Sequence, residues 1–225
     1  MTPARDRLAA ARVYVCTDAR TSRGDLAEFL EQIIGAGVDI VQLRDKNLTA
    51  REELDALRIV SQVCEHFGAL WAVNDRVDLA LAVGAPVVHL GQTDLPVDVA
   101  RALVGPDVLL GQSTHSLAQA RAADVNPEVD YFAVGPLWAT PTKPGRAAVG
   151  LELARLVAAE MTTGSAAKPW FAIGGIDSTN IHQVVTAGAE RVVVVRAVTE
   201  ADQPAQAVAA LRAQLARRTS QQGAL

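Results

Sequence analysis

The chain is poor in the residues that staple, span or stack. Of its 225 residues only two are cysteine, Cys16 and Cys64, and no Cys-x-x-Cys or Cys/His cluster accompanies them. A disulfide framework and a zinc site are therefore both excluded. Two thiols fit a reducing compartment, so a cytoplasmic setting is expected. Aromatic residues make up 4% of the chain, which leaves the core to small aliphatic side chains. No uncharged apolar run approaches the roughly 18 residues that a membrane-spanning helix needs. No apolar signal segment follows Met1. A membrane partner is accordingly not expected. Positive charge is not in excess either: 21 Lys and Arg stand against 25 Asp and Glu, a formal net charge of −4. Nucleic-acid binders advertise a basic field, so that class is set aside. No Gly-x-Gly-x-x-Gly follows any apolar run, which argues against an open dinucleotide-binding sheet.

What is present is periodic. Half of the residues are hydrophobic and 20% are charged, the profile of a folded globular chain. Short apolar runs rich in β-branched residues occur at 13–17, 38–43, 70–73, 87–90, 108–111, 131–134, 170–173 and 191–195. Most are continuous instead of alternating, as expected of parallel strands buried on both faces. Helical patterns lie between them. Leu26, Phe29, Leu30, Ile33 and Ile34 form one apolar stripe over 25–34, closed by Gly35 and Gly37. Thr49 with Glu52 three residues on matches a capping box for a helix reaching Cys64. Further helices are expected from Ser116, from Gly150, over 180–187 and over 204–217, with a short two-turn helix within 76–84. Eight strands alternating with helices indicate an α/β chain forming a single (β/α)8 TIM barrel over 13–217. Residues 1–12 form an N-terminal extension and 218–225 a frayed tail, and mobile loops are expected at 141–149 and 161–168.

In such a barrel the chemistry sits where the strands end. After the second run stands Gln42-Leu43-Arg44-Asp45-Lys46. Period two puts Gln42, Arg44 and Lys46 on one side and Val41 and Leu43 on the other. Two cations over a pocket suit phosphate oxygens, although a solvated cation pair has the same pattern. The third run ends in Asn74-Asp75 and the fourth in Gly91-Gln92-Thr93-Asp94. Two carboxylates on neighbouring strand ends can share Mg²⁺, act as an acid/base pair, or merely cap helices. Ser113 and Ser116 can bind phosphate or cap, and His115 is a base or a packing residue. Thr140, Thr142 and Lys143 lie in a polar Pro/Gly-punctuated loop after the sixth run. Gly174-Gly175 follows the seventh, where backbone N–H groups can approach an anion. Together these groups point to a phosphorylated substrate with a diphosphate and Mg²⁺, and to no named reaction.

The motifs Val41-Gln42-Leu43-Arg44-Asp45-Lys46, Val73-Asn74-Asp75-Arg76, His89-Leu90-Gly91-Gln92-Thr93-Asp94, Gly135-Pro136 with Thr140-Pro141-Thr142-Lys143, and Ala172-Ile173-Gly174-Gly175-Ile176 occur in this order. In this combination the chain closely resembles the thiamine-phosphate synthase family over roughly 13–200. The resemblance implies a transferase that joins 4-amino-2-methyl-5-hydroxymethylpyrimidine diphosphate to 4-methyl-5-(2-hydroxyethyl)thiazole phosphate. Thiamine phosphate and pyrophosphate leave, through a dissociative, carbocation-type substitution. It further implies that Gln42, Arg44, Lys46, Asn74, Ser113 and Lys143 contact the pyrimidine diphosphate, with Arg44, Lys46, Ser113 and Lys143 as the catalytic set. Asp75 and Asp94 match the Mg²⁺ ligands. Thr140, Thr142 and Gly175, with the backbone at Val195-Arg196, match the thiazole-phosphate contacts. A homodimer is kept open.

Two departures stand out. Ala85-Pro86-Val87-Val88 replaces the family's Ala-Asp-Gly-Val, a change expected to be structural only. Arg196 replaces a common serine, and an added charge contact to the thiazole phosphate is expected. The alternatives are a thiazole tautomerase using His115, and a non-catalytic relative on the same barrel.

Overall fold

The computed structural model describes residues 3–140, 147–161 and 168–222, with side chains to residue 216. Helix α1 (Pro3–Ala10) precedes β1 (Val13–Thr17), and strands and helices then alternate. They are α2 (Leu26–Gly35), β2 (Ile40–Leu43), α3 (Ala50–Phe67), β3 (Leu70–Asn74), α4 (Val77–Val83), β4 (Val87–Leu90), α5 (Val97–Val104) and β5 (Leu109–Thr114). The second half runs α6 (Leu117–Val125), β6 (Tyr131–Val134), α7 (Gly150–Met161), β7 (Trp170–Ile173), α8 (Ile181–Thr186), β8 (Val192–Val194), α9 (Arg196–Thr199) and α10 (Pro204–Gln222). Every strand pairs in parallel with its sequence neighbours, and β1 pairs with β8, closing the expected (β/α)8 barrel.

Period two sorts the strand residues into two cores. Val13, Val15, Val41, Leu43, Trp71 and Val73 point out and pack under the helices. Tyr14, Cys16, Ile40, Leu70, Ala72, Val87, Tyr131 and Phe171 point in and fill the barrel. Each fully buried large side chain contributes about 1.5–3 kcal/mol, so this double burial carries the fold. Three of the scarce aromatics meet inside: Tyr14, Tyr131 and Phe171 sit with ring centroids 5.7–6.2 Å apart. Gly111 in β5 makes room for them, because a Cβ there would lie 2.1 Å from Cζ of Tyr131.

The capping box forms as expected: Thr49 accepts from the Glu52 N–H, and the Glu52 carboxylate accepts from the Thr49 N–H. Three helices were not legible. Helix α5 follows Pro96 and carries only a short stripe, Val97 and Ala100, on its buried side. Helix α9 has only four residues. Helix α1, within the N-terminal extension, has a charged centre, Arg5-Asp6-Arg7, but drives Leu8 into the barrel floor, and Ala11 follows it there. The backbone of α10 runs to Gln222, so the tail expected to fray from 218 is helical through that point. The second strand begins at Ile40 instead of residue 38, because the Val38 N–H bonds back to the Ile33 carbonyl as the chain leaves α2. Pro86 stands directly before β4 and needs no N–H there, while its carbonyl accepts from Leu109 at 2.9 Å.

Candidate functional site

At the carboxyl ends of the strands lies a cavity of about 300 Å³. Its floor is polar although the barrel below is apolar. The Cys16 thiol donates to Gln42 Oε1 at 2.8 Å, and Gln42 Nε2 donates to Asn74 Oδ1 at 3.4 Å. On the other side Ser113 Oγ meets His89 Nε2 at 2.9 Å, and His89 Nδ1 meets the Tyr131 hydroxyl at 3.1 Å. That hydroxyl lies 3.2 Å from the hydroxyl of Tyr14. Burial pushes both phenols up, so they remain neutral hydrogen-bonding groups. The consequence is a Ser113 oxygen held in one place by a chain of buried partners.

Gln42 and Ser113 are buried and Asn74 half-buried, all three lining the cavity as the period-two argument requires. Arg44 also lines it, and its Nε is buried without a hydrogen-bond partner among the described residues. An orphaned guanidinium nitrogen at a cavity wall suits an incoming anion. Ser116 is the cap of α6, accepting from the Gln119 N–H at 3.2 Å, whereas Ser113 lines the cavity. His115 lines the cavity as well, with its Nδ1 2.5 Å from the Gly135 carbonyl oxygen.

Asp75 and Asp94 come together. Asp75 follows directly on β3 with φ +62°, a left-handed conformation that a short polar side chain tolerates. It is not the cap of α4; Arg76 holds that position. Its carboxylate forms a 3.1 Å ion pair with Lys46, whose side chain is 62% exposed. Burial pushes the Asp75 carboxyl up, hydrogen bonding with Asp94 adds to this, and Lys46 pulls it down. Asp94 Oδ2 also accepts from the Gly91 N–H at 2.6 Å, which fixes the turn after β4. No cluster of three or more His, Cys, Asp or Glu occurs among the described residues. Two carboxylates and no imidazole or thiolate form a hard, oxygen-only set that suits Mg²⁺, which takes its remaining ligands from water and substrate phosphates.

The opposite wall belongs to β7 and β8. Gly174 and Gly175 take φ +101° and +69° and let the chain pass close to Pro136 and Trp138. Gly175, Val195 and Arg196 line the cavity there, and Thr140 joins them from the loop after β6. The Trp138 N–H donates to the Gly174 carbonyl at 3.1 Å, so this loop is laced to the end of β7. Arg196 opens α9 and is exposed. Pro141, Thr142 and Lys143 lie outside the described residues, as does most of 161–168. His89 and Cys16 also line the cavity, two residues to which the sequence reading assigns no role. The signal for His89 was available, since it stands two residues after inward-facing Val87.

Fold and site together define a (β/α)8 barrel with a cavity lined by Arg44 and Arg196 at its strand ends. Residues 13–198 match the family described as thiamine monophosphate synthase, and the chain belongs to that family. The thiamine-phosphate synthase of Streptomyces avermitilis is 61% identical over 201 residues, covering 89% of this chain and 92% of that one. That of Thermobifida fusca is 57% identical over 212 residues, covering 94% and 95%. Among solved structures, the thiamine phosphate pyrophosphorylase from Pyrococcus furiosus superposes with a TM-score of 0.80 at 31% identity, over 95% of this chain and 98% of that one. No helix among the described residues is long and apolar enough to cross a membrane.

Proposed function

We propose that the protein is a thiamine-phosphate synthase, a transferase of thiamine biosynthesis. It couples 4-amino-2-methyl-5-hydroxymethylpyrimidine diphosphate with 4-methyl-5-(2-hydroxyethyl)thiazole phosphate. The observation that carries this reading is one cavity with two unlike walls. Gln42, Arg44, Asn74 and Ser113 line one side, with Lys46 two residues beyond Arg44 and paired to Asp75, and Gly175, Val195 and Arg196 line the other.

In this reading Gln42 and Asn74 orient the pyrimidine ring through their amides. Arg44 and Lys46 hold the diphosphate, joined by Lys143 as the family resemblance implies. The bond between the pyrimidine methylene carbon and the diphosphate oxygen breaks, and its electron pair leaves with pyrophosphate. The aminopyrimidine ring delocalises the resulting positive charge. Ser113, steadied by His89, offers its hydroxyl oxygen near that charge. The thiazole nitrogen then donates its lone pair to the carbon. Thr140, Thr142, the Gly175 backbone and the Val195-Arg196 segment anchor the thiazole phosphate, and this tethering sets the line of attack. Asp75 and Asp94 would hold Mg²⁺, which when bound supplies charge neutralisation on the diphosphate. No protein nucleophile is called for. The proposal places the enzyme in the cytoplasm, which two buried cysteines outside any disulfide support.

The test is direct. Folded protein is mixed with the pyrimidine diphosphate, the thiazole phosphate and Mg²⁺, and thiamine phosphate is measured by chromatography. Product formation is expected; its absence at micromolar enzyme would sink the assignment.

A further inference from the structure

A second cavity of about 430 Å³ adjoins the first. It opens between the β1–α2 connection and the start of α9. The two cavities share Cys16, Arg44, Val195 and Arg196. Arg20 and Arg23 line only the second one.

Four arginines on one cavity of an acidic chain need an explanation, and only one of them has an evident structural task. Arg20 is buried, grips Asp25 through two 2.7 Å hydrogen bonds, and stacks its guanidinium 4.0 Å from the Phe29 ring centroid. Arg20 therefore shapes the wall and is neutralised. Arg23, Arg44 and Arg196 are different. None forms an ion pair with a carboxylate among the described residues. Arg23 is exposed, and among the described residues its guanidinium makes one hydrogen bond, a long 3.5 Å contact to the Thr199 carbonyl. Arg44 carries the orphaned Nε. Two carboxylates, Asp18 and Glu200, line the same cavity. Asp18 is committed to the Arg20 N–H at 3.1 Å, and neither is paired with a lining arginine. Three unpaired guanidinium groups against two carboxylates leave the cavity net cationic. Guanidinium forks match phosphate oxygens, two at a time.

The proposed reaction uses one diphosphate site and one monophosphate site, both in the first cavity. Arg23 takes no part in either. We propose that the second cavity is a separate anion site that takes a free diphosphate, with Arg23 and Arg196 as its walls and Arg44 at the junction. The choice of diphosphate as the ligand class rests on the proposed function; the anion site itself does not. Because Arg44 and Arg196 border both cavities, a diphosphate there draws on the charge that holds the substrates without filling their sites. The enzyme is therefore slowed by its own pyrophosphate through a site distinct from the one that releases it.

The test is calorimetric titration of the full-length protein with inorganic pyrophosphate, in chelated buffer free of phosphate and sulfate. Two binding events per chain are expected, with pyrophosphate preferred over inorganic phosphate at the event that depends on Arg23. Losing one charge-assisted contact weakens that event about tenfold in Arg23→Ala. The other event, and turnover at low pyrophosphate, stay unchanged, while Lys46→Ala weakens only the other event. Arg23→Lys restores part of the loss, and an unchanged unfolding temperature in both Arg23 variants shows that the fold is intact. A single event in the wild type, or an Arg23→Ala titration that superposes on it, overturns the site. Equal affinity for phosphate overturns the diphosphate assignment. Two events in a protein that makes no thiamine phosphate leave the site standing and remove the proposed function. A single event in a protein that does make it has the opposite outcome.

Discussion

Replacing Asp75 by Asn separates what the site does for the fold from what it does for chemistry. In the metal-free protein the Asp75 carboxylate is penalised by burial and by Asp94, and only partly relieved by Lys46. Asn keeps the shape and tolerates the left-handed backbone at φ +62°, so strain does not confound the comparison. Two like charges about 4 Å apart repel by about 4 kcal/mol at an effective dielectric constant near 20. Against this stands the Lys46 pair, which with an exposed lysine contributes at most about 1 kcal/mol. Solvent at the cavity mouth screens the repulsion further, leaving a gain of about 1–2 kcal/mol for Asn. For a domain of this size that corresponds to a rise of roughly 2–8 °C in unfolding temperature.

The sign of the pH dependence follows from the raised carboxyl. Between the unfolded and folded values the native state binds more protons than the unfolded state, so wild-type stability falls as pH rises through that window. Above the folded value the penalty is complete. The gain in Asp75→Asn is therefore full once the pH lies above the folded value and shrinks towards zero once it falls below the unfolded carboxyl value, about 3.9. Differential scanning calorimetry in chelated buffer at several pH values reads this out. Repeated with excess Mg²⁺, the same scan stabilises the wild type by mass action and leaves the variant unchanged. Coupling activity falls by orders of magnitude in the variant. A variant that is less stable than wild type at pH 8, or equally shifted at every pH, refutes the charge argument. A Mg²⁺ response that survives the substitution refutes the metal assignment.

Three further outcomes are expected. Ser113→Ala lowers turnover at least tenfold while changing the unfolding temperature little, since only one hydrogen bond to His89 is lost, about 1 kcal/mol; steady-state kinetics beside a thermal melt checks it. Gly111→Ala drives a methyl group against the Tyr131 ring and costs about 1–3 kcal/mol or more, measured by urea unfolding, because the ring has only buried neighbours to move into. Arg196→Ala raises the Michaelis constant for the thiazole phosphate and leaves that for the pyrimidine diphosphate nearly unchanged; an unaltered thiazole constant removes Arg196 from that site.

Much of this molecule is written locally. The outward Val41 and Leu43 and inward Gln42 follow from period two alone, and Thr49 and Glu52 announce the start of α3 by their spacing. The barrel itself is legible because strands buried on both faces read as continuous apolar runs, repeated eight times. Helices α1 and α9 escaped because one has a weak apolar face and the other is a single turn. What no local pattern contains is distance between elements. Asp75 and Asp94 are separate strand-end acids in the sequence, and either is as easily a helix cap. Parallel pairing lays β3 beside β4 and makes one carboxylate pair of them. The same holds for His89 on Ser113, for Tyr131 in the space left by Gly111, and for Arg23 beside Arg196. Hydrophobic periodicity is a property of neighbours along the chain, so the sequence alone determines the elements and their faces. Which side chains meet across the barrel depends on register and closure, and only the tertiary structure decides it.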